Sequence, residues 1–503
     1  MASARIVIDP AFQVGSIDRR LFGSFVEHLG RCVYDGIYEP GHPAADADGF
    51  RTDVLELVRE LGVSTVRYPG GNFVSGYRWE DGIGPRDQRP TRLDLAWHST
   101  ETNEVGVHEF MTWARAAGVE PMMAINLGTR GVLEAIDLLE YANVPSGSTL
   151  ADQRIANGAA DPFTITMWCL GNEMDGPWQL GHRSAEDYGK IASQTAKGMR
   201  QLDPSVELVA CGSSNRRMPT FGSWEHTVLQ HTYHDVDFIS CHAYYEEKDG
   251  DLDSFLASGV DMDRFIDSVV ATADAVGAGL KTDKKINISF DEWNVWYNVR
   301  DKEKNTIRGL DNWPKAPRIL EDVYSVTDAV VVGNLLISLL RHADRVRAAS
   351  LAQLVNVIAP IMTEPGGPAW RQTTFYPFAE TARRAVGSAL RLTLDSDTHQ
   401  TAAYGEVATI DAAGSHDPET GNTSLFLINR DHGGPSTVEV DLTALPGAAV
   451  QDAVLIADDD RHAANTLDRQ DRVTLGQLTS YTLDGHRLTV ELPPLSWAAL
   501  TLA

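Results

Sequence analysis

The sequence predicts a (β/α)8 TIM barrel followed by a C-terminal antiparallel β-sandwich, and three observations carry that reading. Between Leu21 and Asn356, eight short apolar runs alternate with amphipathic helical segments. Past residue 378 the texture changes to short alternating runs divided by Gly, Pro, Asp and Asn, the pattern of a sandwich. A doubly wound open sheet would carry a Gly-rich fingerprint after its first strand, and "LFGSFVEHLG" (from Leu21) has none. The expected boundaries are 18–378 for the barrel and 379–503 for the sandwich, with the strand-like opening "ARIVIDPA" in residues 1–17 expected to join the sandwich.

The eight strands are expected at "LFGSFVEH", "VSTVRYPGG" (from Val63), "EPMMAINLG" (from Glu120), "TMWCLGNE" (from Thr166), "ELVACGSS" (from Glu207), "DFISCHAYY" (from Asp237), "INISFDEW" (from Ile286) and "AASLAQLVN" (from Ala348). Several are unbroken apolar runs, as parallel strands covered on both faces require. Between them, "RTDVLELVRELG" places Val54, Leu55, Val58 and Leu61 on one stripe, with Gly62 as its stop. "SAEDYGKIASQTAKGMRQLDP" opens with a capping arrangement of Ser184 and Asp187 and aligns Tyr188, Ile191, Thr195, Met199 and Leu202. "TAAYGEVATID", "NTSLFLINRD", "STVEVDLTAL", "DAVLIA", "HRLTVELPP" and "SWAALTLA" supply the sandwich.

Composition narrows the function. A net charge of −27 over 503 residues argues against nucleic acid and anionic membranes as partners, since both need a basic footprint. "MASARIVIDP" has no secretory signal, and "AVVVGNLLISLL" (Ala329 to Leu340) is too short to span a bilayer and is interrupted by Gly333 and Asn334. Cys32, Cys169, Cys211 and Cys241 have no CxxC spacing and read as buried free thiols. The expectation is a soluble, cytoplasmic protein without a structural metal.

In a barrel the chemistry gathers at the C-terminal ends of the strands. Those ends read Glu27 and His28; Arg67, then Gly70, Gly71 and Asn72; Asn126; Asn172 and Glu173; His242, Tyr244 and Tyr245; Asp291, Glu292 and Trp293; Gln353 and Asn356. A carboxylate at the end of a buried strand is costly without partners. Taken singly, each Glu reads as a structural ion pair; together, Glu173 and Glu292 read as the acid and base pair of glycoside hydrolysis. The pattern does not say which carboxylate plays which part. His242 reads equally well as a core histidine, and His231 and His234 lack a third ligand for zinc. "YPGGN" lacks the spacing of a phosphate loop, so Gly70 and Gly71 read as a tight turn that aims Asn72. Trp97, Trp178, Trp293 and Trp296 are candidates to wall a sugar pocket. A metal-dependent barrel hydrolase would want HxH at strand one, where this chain has "VEHLG". An endo-acting glucanase or xylanase and an inactive sugar-binding protein are the other rivals.

Five blocks, "FGSFVEHLGRCVYDGIYEP", "VRYPGGNFVSGYRWEDGIGP", "RLDLAWHSTETNEVGVHEF", "WCLGNEMDGPWQLGH" and "SFDEWNVWY", resemble the α-L-arabinofuranosidases of glycoside hydrolase family 51, over about Leu21 to Gln353. The resemblance implies retaining double displacement by an exo-acting enzyme that needs no cofactor, acts on oligosaccharides from arabinoxylan or arabinan, and assembles as a homo-oligomer, a hexamer. It assigns Glu173 as acid/base and Glu292 as a nucleophile that stays charged. Asn172 would bind the sugar 2-hydroxyl, Tyr244 would hold Glu292 with His242 supporting the same wall, Glu27, Arg67, Asn72 and Gln353 would grip the terminal sugar, and Trp97 and Trp296 would flank it. The segments after strands three and seven, "GTRGVLEAIDLLEYANVPSGSTLADQRIANGAADPF" and "NVRDKEKNTIRGLDNWPKAP", are expected to frame the aglycone side.

Overall fold

The computed structural model describes residues 2–299 and 301–503; Met1 and Arg300 lie outside the described residues. Eight parallel strands, Gly23–Phe25, Thr65–Tyr68, Glu120–Ala124, Met167–Leu170, Glu207–Ala210, Phe238–Tyr245, Asn287–Val295 and Val346–Ala352, close into a barrel in chain order. Six fall within the runs expected from the sequence; Asn287–Val295 ends two residues beyond its run, and Val346–Ala352 begins two residues before its own. Alternation divides their side chains into two layers. Met122, Ala124, Met167, Cys169, Val209, Phe238 and Ala348 share one buried cluster that plugs the barrel. Residues of the opposite parity, such as Trp168 and Leu170, join the larger core under the helices.

The helices form where the apolar stripes predict. Thr52–Leu61 buries Val54, Leu55, Val58 and Leu61 and ends at Gly62, whose φ of 78° is the left-handed conformation glycine adopts without strain. Ala185–Leu202 starts at Ser184, whose hydroxyl accepts from the Asp187 N–H. The apolar helix Val326–Arg341 is buried along nearly all its length, because it lies between barrel and sandwich. No helix among the described residues is long and apolar enough to cross a membrane.

Two sheets make the sandwich. One orders Thr393–Ser396, Ala2–Val7, Ser436–Asp441, Arg487–Leu492 and Tyr481–Asp484; the other runs from Gln13–Ser16 through Ser388–Leu390, Ile410–His416, Thr423–Asn429, Ser496–Leu502 and Val450–Ile456 to Gly476–Gln477. Ile6, Ile8, Ile410, Leu425, Leu427, Val438, Val490 and Leu500 are among the residues filling the space between them. The opening strand is interior to its sheet, antiparallel to Thr393–Ser396 but parallel to Ser436–Asp441, the one parallel strand pair of the sandwich among the described residues.

Two expectations need adjusting. The helix Phe375–Arg384 runs through the expected 378/379 boundary. The segment after strand three folds into helices Val132–Asn143 and Thr149–Ala156. Its later part braces the outer wall: Asn157 Nδ2 donates to the Tyr141 hydroxyl at 2.9 Å, and Arg154 donates to backbone carbonyls of residues 141 to 160. That later part is therefore barrel wall rather than rim, while Thr129 and Arg130 at the start of the segment line a cavity with Phe73, Asp94 and Leu180. All four cysteines are buried and free.

Candidate active site

Strand seven carries the irregularity that builds the site. It pairs with strand six as Ser240↔Ser289 and then His242↔Glu292, and with strand eight as Phe290↔Ala349 and then Trp293↔Leu351. Against both neighbours it has one extra residue, a β-bulge around Asp291. A regular strand would turn adjacent residues to opposite faces; the bulge lets Asp291 and Glu292 both reach His242, while Trp293 turns outward. Trp293 is accordingly buried in the core, stacked with Phe378 at 6.4 Å, and does not wall a sugar pocket. At strand four the chain turns through Gly171 (φ 96°) and Glu173 (φ 42°). A non-glycine residue in that region is strained, and such strain concentrates at functional sites.

The two candidate carboxyls face one another, with Glu173, His242 and Glu292 each offering an atom within 4.8 Å of the others. His242 bridges them: its Nδ1 lies 2.9 Å from Glu173 Oε1 and 3.5 Å from Glu292 Oε2, and its Nε2 lies 2.9 Å from Asp291 Oδ1. Burial pushes the imidazole down, but the charge of Glu292 and the hydrogen bonds to Asp291 and Glu173 raise it to about 10. His242 is thus engaged by Glu173 and Asp291 as well as standing beside Glu292, the carboxyl that Tyr244 holds. Glu292 is held by Arg67 Nη1 at 2.7 Å on one oxygen and by the Tyr244 hydroxyl at 2.8 Å on the other. Burial pushes the Glu292 carboxyl above its ordinary range and Glu173 adds to this, while His242, Arg67 and Tyr244 work to keep it charged. Trp178 Nε1 donates to Glu173 Oε2 at 2.6 Å.

The other expected residues surround this pair. Arg67 Nη2 donates to Asn172 Oδ1 at 2.7 Å, and Asn172 Nδ2 reaches Asn72 Oδ1 at 3.5 Å. Glu27 accepts from the Phe73 N–H at 2.9 Å, Trp97 Nε1 at 3.0 Å and Gln353 Nε2 at 3.1 Å. Burial, with Glu292 and Asp94 nearby, raises Glu27 to about 8 against those donors. Trp296 packs edge-on against Tyr244 at 5.1 Å. Gln353 Oε1 and Trp296 Nε1 are buried polar atoms without a hydrogen-bond partner inside the protein. All eleven candidates therefore meet at one end of the barrel. Sequence reasoning placed Asp291 at a strand end but gave it no role, missed Gln179, and treated Trp178 only as a wall. Gln179 Nε2 donates to Ser75 Oγ at 2.5 Å and its Oε1 accepts from Asn172 at 3.4 Å.

Glu173, His242 and Glu292 are also the one trio among the described residues able to hold a metal ion. Arg67 already places a cation 2.7 Å from Glu292, which disfavours a second. Buried, opposed carboxyls this close suit a retaining glycosidase better than an inverting one, which needs about 6.5–9.5 Å for its water.

The family described as Alpha-L-arabinofuranosidase 1 domain matches residues 57–250, and that described as Alpha-L-arabinofuranosidase C-terminal domain matches residues 291–496. An exo-alpha-(1->6)-L-arabinofuranosidase of Bifidobacterium longum is 59% identical over 99% of this chain and 97% of its own. This chain is a family 51 α-L-arabinofuranosidase. An intracellular exo-alpha-(1->5)-L-arabinofuranosidase of Streptomyces lividans is also 59% identical, over 100% of this chain and 76% of its own. The solved structure of AbfB, a family 51 α-L-arabinofuranosidase from Bifidobacterium longum, superposes with a TM-score of 0.96 at 51% identity, covering 100% of both chains. As an α-L-arabinofuranosidase the protein is a glycoside hydrolase, and the five sequence blocks had identified the family correctly.

Proposed function

We propose that Glu292 is the nucleophile and Glu173 the acid/base of an exo-acting, retaining hydrolysis of terminal arabinofuranose. Glu292 attacks the anomeric carbon while Glu173 protonates the departing glycosidic oxygen. Glu173 then takes a proton from water as that water displaces Glu292, and arabinose leaves with its configuration retained. The observation that carries this is the approach of the two carboxyls within 4.8 Å, bridged by His242. Arg67 and Tyr244 hold both oxygens of Glu292 in place for attack. Glu27, Asn72, Trp97, Asn172, Trp296 and Gln353 grip the sugar; Asn172 is the partner for the 2-hydroxyl, whose hydrogen bond strengthens in the transition state.

The substrates in this reading are oligosaccharides from arabinan and arabinoxylan, taken up and trimmed in the cytoplasm by a homo-oligomer, a hexamer. The relatives from Bifidobacterium longum and Streptomyces lividans carry different linkage names at equal identity, so linkage preference is a property of the aglycone side of the site. The test is hydrolysis of an aryl α-L-arabinofuranoside, with chelator present, by the wild type and by Glu292→Ala. Rapid release by the wild type, and a loss of about a thousandfold or more in the variant, are the expected outcome. Loss of wild-type activity on adding chelator would point to the metal reading. No release by folded wild type, with activity on an unbranched xylan or glucan, would discard the substrate. Linked arabino-oligosaccharides of defined (1→2), (1→3), (1→5) and (1→6) type then rank the linkages.

A further inference from the structure

Asp291 takes no part in the displacement just described, yet it is as buried as any residue of the site, at 1% exposure. Its Oδ1 lies 2.9 Å from His242 Nε2, and its Oδ2 faces Cys169 Sγ at 3.7 Å and Arg67 Nε at 3.8 Å. His242 in turn meets both reacting carboxyls through Nδ1. We propose that Asp291 is a positioning residue that keeps His242 an imidazolium, so that a single N–H can serve whichever of Glu173 and Glu292 is charged. The proposal rests on the roles assigned to that pair above.

Two arguments support it. The first is donor count. Only the protonated ring carries an N–H at both nitrogens; a neutral ring would turn a lone pair on Asp291 or, through Nδ1, on whichever of Glu173 and Glu292 is charged. The second is charge balance. Before attack, the anions Asp291 and Glu292 are matched by the cations Arg67 and His242, with Glu173 protonated. In the glycosyl-enzyme, Glu292 is a neutral ester and Glu173 has given up its proton, so the anions are Asp291 and Glu173 and the count is unchanged. Nδ1 sits 2.9 Å from one partner and 3.5 Å from the other, so the hydrogen bond can pass between them without moving the ring. Removing Asp291's charge leaves the cations in excess in both states unless the ring gives up its proton.

The charged and titratable groups around the imidazole are Arg67 from strand two, Cys169, Glu173 and Asp175 from strand four, Tyr244 on its own strand, and Asp291 and Glu292 from strand seven, with Glu27 beyond Glu292. In Asp291→Asn the amide can donate to Nε2 and leave a neutral ring with its proton on Nδ1. The lost cation is nearer to Glu173 and Glu292 than the lost anion, so both carboxyls should bind protons more tightly. Both limbs of the kcat/KM profile against pH, measured on an aryl α-L-arabinofuranoside, should therefore move up by about 1 pH unit, with a lower kcat. On a His242→Gln background Asp291→Asn should add nothing further. Limbs that stay in place in a variant of unchanged Tm, or independent effects on that background, would overturn the proposal.

A measurement on the wild type covers the case in which Asp291→Asn does not fold. With 15N-labelled histidine, and the His242 signal assigned by its loss in His242→Gln, the ring should remain imidazolium to about pH 9. A neutral ring at pH 7 would overturn the proposal. Full activity in Glu292→Ala would instead remove the catalytic roles, a failure separate from anything seen at Asp291.

Discussion

Gly71 stands where any side chain would strike the reacting pair: a Cβ built there lies 2.9 Å from Glu292 Oε1 and 3.3 Å from Asn172 Nδ2. At Gly70 the same atom would lie 2.7 Å from Glu27 Cγ. Neither glycine has a positive φ; what each supplies is clearance. Gly71→Ala is expected to displace Glu292 or Asn172 by a few tenths of an ångström and to lower kcat/KM by about 10- to 100-fold, with Tm nearly unchanged. Steady-state kinetics on the aryl substrate beside a thermal melt checks this; full activity would show that the pair tolerates the displacement. At this scale the carboxyl pair was legible, because two carboxylates closing separate apolar runs are costly without partners, whereas the sugar-gripping residues were named only through the family resemblance. The role of Asp291 was not legible, because its side chain points inward only through the bulge, and a bulge leaves no mark in the alternation of "INISFDEW".

The elements that shape the mouth are tied to one another rather than to the barrel alone. The hairpin of Arg92–Asp94 and Ser99–Glu101 carries Trp97, and Asp94 accepts from the Ala96 and Trp97 backbone N–H groups, which fixes the indole on Glu27. The segment after strand seven clasps that hairpin. The Thr100 hydroxyl donates to the Trp313 carbonyl at 2.6 Å, the Thr100 N–H donates to the Pro314 carbonyl at 3.0 Å, His98 stacks on Trp313 at 3.8 Å, and Lys315 pairs with Glu104 at 2.6 Å. Trp313→Ala removes the stacked face but leaves the backbone contacts. An aromatic pair of this kind contributes about 0.5–1.5 kcal/mol, so KM should rise by about 2- to 10-fold with a smaller change in kcat. A fall in kcat with KM unmoved would instead place Trp313's effect on the chemistry. The existence of the eight strands could be read from apolar runs bounded by turn residues. The second helix after strand three could not be placed from "EYANVPSGSTLADQ", since Pro145, Ser146, Gly147 and Ser148 read as a loop while the short helix Thr149–Ala156 is held by its Ser148 cap and by Arg154.

Across the whole molecule, the two polar breaks in the apolar helix Val326–Arg341 are the points where the sandwich docks. A Cβ on Gly333 would fall 2.2 Å from Trp497 Cδ1, so glycine makes room for that indole. Asn334 Nδ2 donates to Asp411 Oδ2 at 2.8 Å, and its Oδ1 accepts from Arg430 at 3.0 Å. Asp411, in the sandwich, is also paired with Arg430 at 2.6 Å and with Arg341 of the helix, whose other nitrogen reaches Asp263 at 2.5 Å. Burial alone would push Asp411 up, but Arg341 and Arg430, with Asn334, more than reverse this and hold it well below the usual carboxylate range. A folded-state value below the unfolded value of about 3.9 means that the carboxylate stabilises the fold in full above that pH, and that this contribution is lost as pH falls towards the folded value. Asp411→Asn leaves the buried Arg430 without its carboxylate and Arg341 with Asp263 alone, and breaking a buried pair in this way costs about 3–5 kcal/mol. Its Tm should be clearly lower than the wild type's at pH 7, and the gap should narrow as pH drops below about 4, where the wild type begins to lose the same contribution. Thermal melts of both proteins from pH 7 to pH 3 read this directly. A gap constant across that range would mean that packing around Trp497, rather than the Asp411 charge, holds the two domains together.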